Sequence, residues 1–160
     1  LWRIDMIREL PVFPHDASNS SILIHGRYAY VGTGNGVSDG KVVLPSAPSL
    51  IVVDKETGQV VSRDDGRISA GVFHGQWSSP TLLKLGQHEL IVFGGGDGWC
   101  YAFEPVSETT PEPVLKQVWR FDANPAGYRE RGGKRIDYWE LVNNRPDHQP
   151  ADELLTSPSE

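Results

Sequence analysis

The chain has 160 residues, a formal net charge of −6 at neutral pH, and 38% hydrophobic against 22% charged residues. That balance belongs to a globular chain long enough to bury a real core, and it lacks the net basic character that binding nucleic-acid phosphates requires. A single cysteine, Cys100, leaves no internal disulfide framework, and no apolar run reaches the length of a membrane-spanning helix. The chain opens on Leu1 with no charged-then-apolar leader, so further residues are expected ahead of it.

The 17 glycines and 12 prolines punctuate short apolar runs instead of forming a low-complexity block, which is the pattern of turn-rich β structure. In chain order, Trp2-Arg3-Ile4-Asp5 leads to a polar loop, "FPHDASNSS" at 13–21, and then a short strand at 22–24. The turn His25-Gly26-Arg27 precedes a second strand that ends in a glycine cluster, "YAYVGTGNG" at 28–36. A third strand reads "SLIVVD" at 49–54 and a fourth "GQVVSR" at 58–63.

The same order then recurs. "FHGQWSSP" at 73–80 is followed by strands at 81–85, "LIVFGGGDG" at 90–98, "WCYAFE" at 99–104 and "LKQVWR" at 115–120. The landmarks superpose: Trp2-Arg3-Ile4-Asp5, Ser62-Arg63-Asp64-Asp65 and Trp119-Arg120-Phe121-Asp122, with serine pairs at Ser20-Ser21 and Ser78-Ser79 and a third landmark at Thr156-Ser157-Pro158. Such a period of strands and turns predicts an all-β repeat architecture with four strands per unit. Residues 123–155 form a long connection that carries "RERGGKR" at 129–135 and one short helix expected around 136–142.

The glycine clusters fit no phosphate loop, since neither has the Walker or dinucleotide spacing and each leads into a strand, not a helix. Asn35-Gly36 and Asp97-Gly98, with Gly34 and Gly96 beside them, are expected instead to make tight hairpin turns with positive φ angles.

The stretches "SSPTLLKLGQHELIVFGGGDGWCYAFEP" and "SLIVVDKETGQVVSRDD" resemble the pyrroloquinoline-quinone-type (PQQ-like) β-propeller repeat. The resemblance implies about two four-stranded blades over 1–122, an inter-blade insertion over 123–155 and the start of a third blade at 156–160. The whole would be a propeller of seven or eight blades. Asp54, Thr57 and Gly58 match the family's tryptophan-docking turn; Trp2 and Trp119 keep its tryptophan, whereas Ser62 replaces it. The second blade has "VSETTPEPV" in place of the Thr-Gly turn.

Members of this superfamily include periplasmic quinoprotein dehydrogenases using PQQ and calcium, and non-catalytic proteins such as the scaffold lipoprotein of the outer-membrane barrel-assembly machinery. The expected function is a non-catalytic domain, exported to the periplasm or cell envelope, that binds a protein partner or a small ligand at the channel mouth. The alternative is part of a PQQ- and calcium-dependent dehydrogenase whose active-site residues lie mainly outside this stretch. The adjacent cysteine pair of many alcohol-oxidising members is absent here. Asp16, Asn19, Asp39 and Asp97 offer oxygen ligands for calcium but form no clustered loop of the EF-hand kind.

The loops before each first strand hold the polar candidates: His15, Asp16 and Asn19 in one, His74, Gln76 and Trp77 in the next, and His148 in 146–158. Two readings stand. Imidazoles and a carboxylate suit a transition metal, with Trp77 as a stacking surface. Equally, each polar side chain can tie down its own loop by bonding nearby backbone groups.

Overall fold

The computed structural model describes residues 1–16, 19–124, 130–131 and 133–135, over which the protein is all-β. Its elements in chain order are α1 (Met6–Glu9), β1 (Leu23–His25), β2 (Tyr28–Gly32), β3 (Val37–Ser38), β4 (Lys41–Val42), β5 (Leu50–Asp54), β6 (Val60–Arg63), α2 (Arg67–Ala70), β7 (Thr81–Leu85), β8 (His88–Gly94), β9 (Trp99–Phe103), β10 (Gln117–Asp122), β11 (Glu130–Arg131) and β12 (Lys134–Arg135). Among the described residues, no helix is long and apolar enough to cross a membrane.

Two antiparallel four-stranded sheets occupy the first compact part, Leu1–Ala123, in the spatial orders β1-β2-β5-β6 and β7-β8-β9-β10. Each is a meander, interrupted in the first repeat only by the small β3–β4 ladder on the connection from β2 to β5. The second part, Asn124–Glu160, holds the β11–β12 ladder, which pairs Glu130 with Arg135 and Arg131 with Lys134 and so folds much of "RERGGKR" into a hairpin. The helix expected at 136–142, His148 and the landmark at 156–158 lie outside the described residues.

Period-two alternation decides what each strand face covers. Tyr28, Tyr30, Leu50 and Val52 point into a core shared with Ile91, Phe93, Tyr101 and Phe103 of the other sheet. Ala29, Ile51 and Val53, one residue out of phase, pack instead on Leu10, Val12 and Ala47. This is why residues 50–53, "LIVV", are a continuous apolar run: β5 is buried along its whole length because both of its faces are covered.

The two tryptophan landmarks behave differently from Ser62. Trp2 lies on the turn after β5, where a Cβ added to Gly58 would stand 2.6 Å from its ring, and its Nε1 donates to Lys55 O at 2.8 Å. Asp54 shapes that turn by accepting from the backbone N–H of Glu56 and Thr57 at 2.9 and 3.2 Å. The Arg27 guanidinium, donating through Nε at 2.7 Å, holds the Asp54 carboxyl below the usual carboxylate range. Trp119 sits half-buried on β10 opposite Ala102.

At Ser62 a backbone contact does the joining. Arg63 forms a parallel bridge with Val114 of the second repeat, donating to Pro113 O at 3.2 Å and accepting from Leu115 N at 2.8 Å. Main-chain bonds thus join the two sheets beside Ser62, whereas at the equivalent landmark Trp2 packs its ring on the Gly58 turn.

The turn expected at Asn35-Gly36 is corrected by the backbone. Among the described residues, φ is positive at Gly34 and Gly98 but at none of Asn35, Gly36, Gly96 and Asp97. The paired positive φ angles of a tight hairpin occur instead at Asp39 (48°) and Gly40 (75°), between β3 and β4. Asn35 is wholly buried and spends its side chain inside the fold, so it cannot serve as an exposed turn tip.

Ser62 is 1% exposed, and its Oγ has no hydrogen-bond partner. A buried hydroxyl without a partner costs about 1–3 kcal/mol. Ser62→Ala should accordingly raise the unfolding free energy by roughly 1 kcal/mol in urea titration; a loss of stability would contradict this account of the junction.

Candidate functional site

The loops leading into β1 and β7 are held by the glycine clusters of their own repeats. His15 N donates to Gly34 O at 3.0 Å and Gly36 N to Phe13 O at 2.9 Å; in the second repeat Phe73 N donates to Gly96 O at 3.0 Å. The glycines admit these loops by lacking a side chain. A Cβ at Gly36 would stand 2.5 Å from His15 Cβ and 2.7 Å from His74 O, and one at Gly96 only 2.3 Å from Gly75 O.

The two loops also meet each other. Ser21 N donates to Ser79 Oγ at 2.8 Å, joining equivalent serines of the two repeats beside β1 and β7. Val37 N, in the first repeat, donates to His74 O at 3.1 Å. Beneath them Gln76, 2% exposed, donates through Nε2 to Asn35 O at 3.1 Å and to Ser49 Oγ at 2.7 Å. Asn35 Nδ2 donates in turn to Leu44 O at 3.0 Å and Ser69 Oγ at 3.1 Å, while its Oδ1 accepts from Phe13 N at 2.9 Å. These buried polar groups are matched across the seam, which makes the network a rigid base for the loops above it.

On that base sit His15, Asp16, His74 and Trp77. The His15 and His74 rings meet edge to face with centroids 4.2 Å apart, and their Nε2 atoms are 2.9 Å apart. Asp16 Oδ2 lies 3.3 Å from His15 Nε2. His15 Nδ1 is 2.7 Å from Val37 O; a carbonyl only accepts, so this nitrogen carries the proton. The Trp77 ring flanks both imidazoles at centroid distances of 5.5 Å from His74 and 6.1 Å from His15, and is itself 42% exposed.

The structure thus divides the sequence candidates. His15, Asp16, His74 and Trp77 come together at the seam. Gln76 belongs to the buried network below, with both amide protons committed. Asn19 is exposed on the loop. The oxygen ligands considered for calcium disperse: Asp39 forms the β3–β4 turn, and Asp97 accepts from the Tyr101 hydroxyl and from Trp99 N.

The sequence signal for the histidine pair lies upstream of the serine landmark. Val12-Phe13-Pro14-His15 and Val72-Phe73-His74 are equivalent once one residue is allowed for Pro14. Counting back from the serines hides this, because the loops differ in length on that side.

Away from the histidines, a concavity of about 560 Å³ is lined by Asp64, Asp65, Arg67, Asp97, Tyr101 and Arg120, among others. Its charged groups are engaged within the fold: Arg67 pairs with Asp65, Asp64 accepts from the backbone N–H of Ser49, Leu50 and Gly66, and Arg120 lies over the Trp99 ring at 4.4 Å. Burial, together with the adjacent Asp97 carboxylate, pushes the Tyr101 hydroxyl well above its ordinary value, so it acts as a donor. Burial also raises the Cys100 thiol, which disfavours a reactive thiolate.

Compared with known proteins, the chain matches no family model, no curated protein and no solved structure.

The division between base and site is measurable. Gln76→Ala strands Asn35 O and Gly96 N and leaves Ser49 Oγ with Ser69 Oγ alone, and should cost about 1–3 kcal/mol in chemical denaturation. Asp16→Asn, at a side chain 76% exposed, should change stability by about 0.5 kcal/mol or less. Equal costs would contradict the division.

Proposed function

We propose that this chain is two consecutive blades of a PQQ-like β-propeller that works as an exported binding or scaffold domain. Its ligand end is the one where the loops leading into β1 and β7 meet. One observation carries this reading: equivalent loops of two successive repeats converge, bringing His15 and His74 into ring contact with Trp77 beside them. Side chains drawn from successive repeats to one point are what a propeller offers at the mouth of its channel.

Supporting features are the two four-stranded meanders in sequence, the adjacency of β1 and β7, and Trp2 seated on the Asp54–Gly58 turn. Adjacent first strands are what blades arranged around a common axis require. The groups at the ligand end are two half-buried imidazoles and an exposed flat indole, a combination suited to gripping a ligand. The protein partner or small ligand sits there, and the periplasm or cell envelope is where the domain resides.

Electron microscopy of the complete protein should show a closed ring of seven or eight blades, and an open array would contradict the architecture. Incubating the same protein with PQQ and calcium should produce no saturable quinone absorption band. A stoichiometric band accompanied by dye reduction would replace the binding role with the dehydrogenase alternative.

A further inference from the structure

We propose that His15 Nε2, His74 Nε2 and Asp16 Oδ2 form a binding site for one divalent first-row transition-metal ion. This deepens the binding reading by naming a ligand class. It rests on that reading only for the site's place at the channel mouth; the ligand set itself lies within the first compact part.

The argument begins with the His15 tautomer. Its Nδ1–H donates to Val37 O at 2.7 Å, so the neutral ring presents a bare lone pair at Nε2. That is the arrangement by which a backbone carbonyl orients a metal-ligating imidazole and raises its basicity. The lone pair faces two other ligand atoms, His74 Nε2 at 2.9 Å and Asp16 Oδ2 at 3.3 Å. All three atoms lie within 4.8 Å of one another.

A carboxylate oxygen and an imidazole lone pair repel at such a distance unless a cation lies between them. A proton donated by His74 Nε2 to His15 Nε2 relieves the imidazole contact alone. A metal ion relieves both, and these two spacings suit it. Bonds of about 2.0–2.1 Å meeting at a right angle place ligand atoms about 2.9 Å apart, and at the tetrahedral angle about 3.3–3.4 Å. The observed 2.9 and 3.3 Å fall within this range, the imidazole pair at its right-angled end. Two imidazoles and one carboxylate on one side of an ion leave further positions for water or an exogenous ligand. Imidazole nitrogens favour a transition ion over calcium or magnesium, which prefer oxygen donors.

The surroundings provide access and shelter together. Asp16 is largely exposed, at 76% of its side chain, so an ion can enter from solvent, whereas His15 retains only 17% exposure. Gly36 lets the His15 and His74 loops approach, and Trp77 covers one flank of the pair.

The test uses the complete protein, stripped with EDTA and titrated with Co²⁺ and Ni²⁺. Dialysis with elemental analysis should give one saturably bound ion per chain. Co²⁺ should show visible ligand-field bands and selectively broaden the His15 and His74 imidazole NMR signals. His15→Gln and His74→Gln should each weaken binding by roughly 100-fold and Asp16→Asn by about 10-fold, with far-UV circular dichroism unchanged. His25→Gln and Cys100→Ser, away from the site, should bind as the parent does.

Absence of saturable binding in the parent chain would overturn the proposal and leave a proton shared by the histidines. Parent-like affinity in both histidine variants would overturn it too. If a variant loses structure, broadening in the unmodified chain decides: His15 and His74 affected first supports the site, and other histidines first refutes it. Metal binding and ring closure are separate readouts, so either can fail without the other.

Discussion

The rest of the first compact part depends on the matching of buried polar groups across the seam between the two repeats. Gln76, from the second repeat, reaches into the first to donate to Asn35 O and Ser49 Oγ, and Asn35 itself bridges Phe13, Leu44 and Ser69. Each of these groups would be costly if stranded away from water, so the network tolerates one arrangement of the two loops and penalises sliding. The apolar core between the sheets supplies attraction without direction. The polar seam supplies the register.

That register is what makes a site. Glycine at 36 and at 96 removes the side chains that would keep the loops apart, and Asp16 turns into the left-handed region (φ 56°) close to His15. Aspartate tolerates that conformation better than most residues. The same logic of compensation appears at the outer edge of the first sheet. There Ser62 stands at the landmark position that Trp2 and Trp119 hold in the other copies, and the Arg63–Val114 bridge joins the repeats through the main chain.

Much of the fold is legible in the residues. The order of four strands in each repeat follows from short-range pattern and turn residues, and it appears in the structure as two four-stranded meanders. The Asn35-Gly36 turn was not legible, because a buried side chain overrode a dipeptide preference that holds for exposed hairpins. Gln76 looked like a site residue for the same reason: its amide chemistry is visible in sequence, but the side on which it is spent is a tertiary fact. The histidine pair lay between these cases. Its residue types were apparent, yet its pairing needed the Val-Phe alignment and the close approach that only the folded seam provides.

The most direct test of this account is the contact between the two histidines. With selectively labelled histidine and tryptophan in the complete chain, a nuclear Overhauser experiment should show cross-peaks between the His15 and His74 ring protons, and from both rings to the Trp77 indole, as centroid distances of 4.2 to 6.1 Å require. A well-folded protein in which His15 and His74 share no cross-peak would contradict the seam, and with it the site.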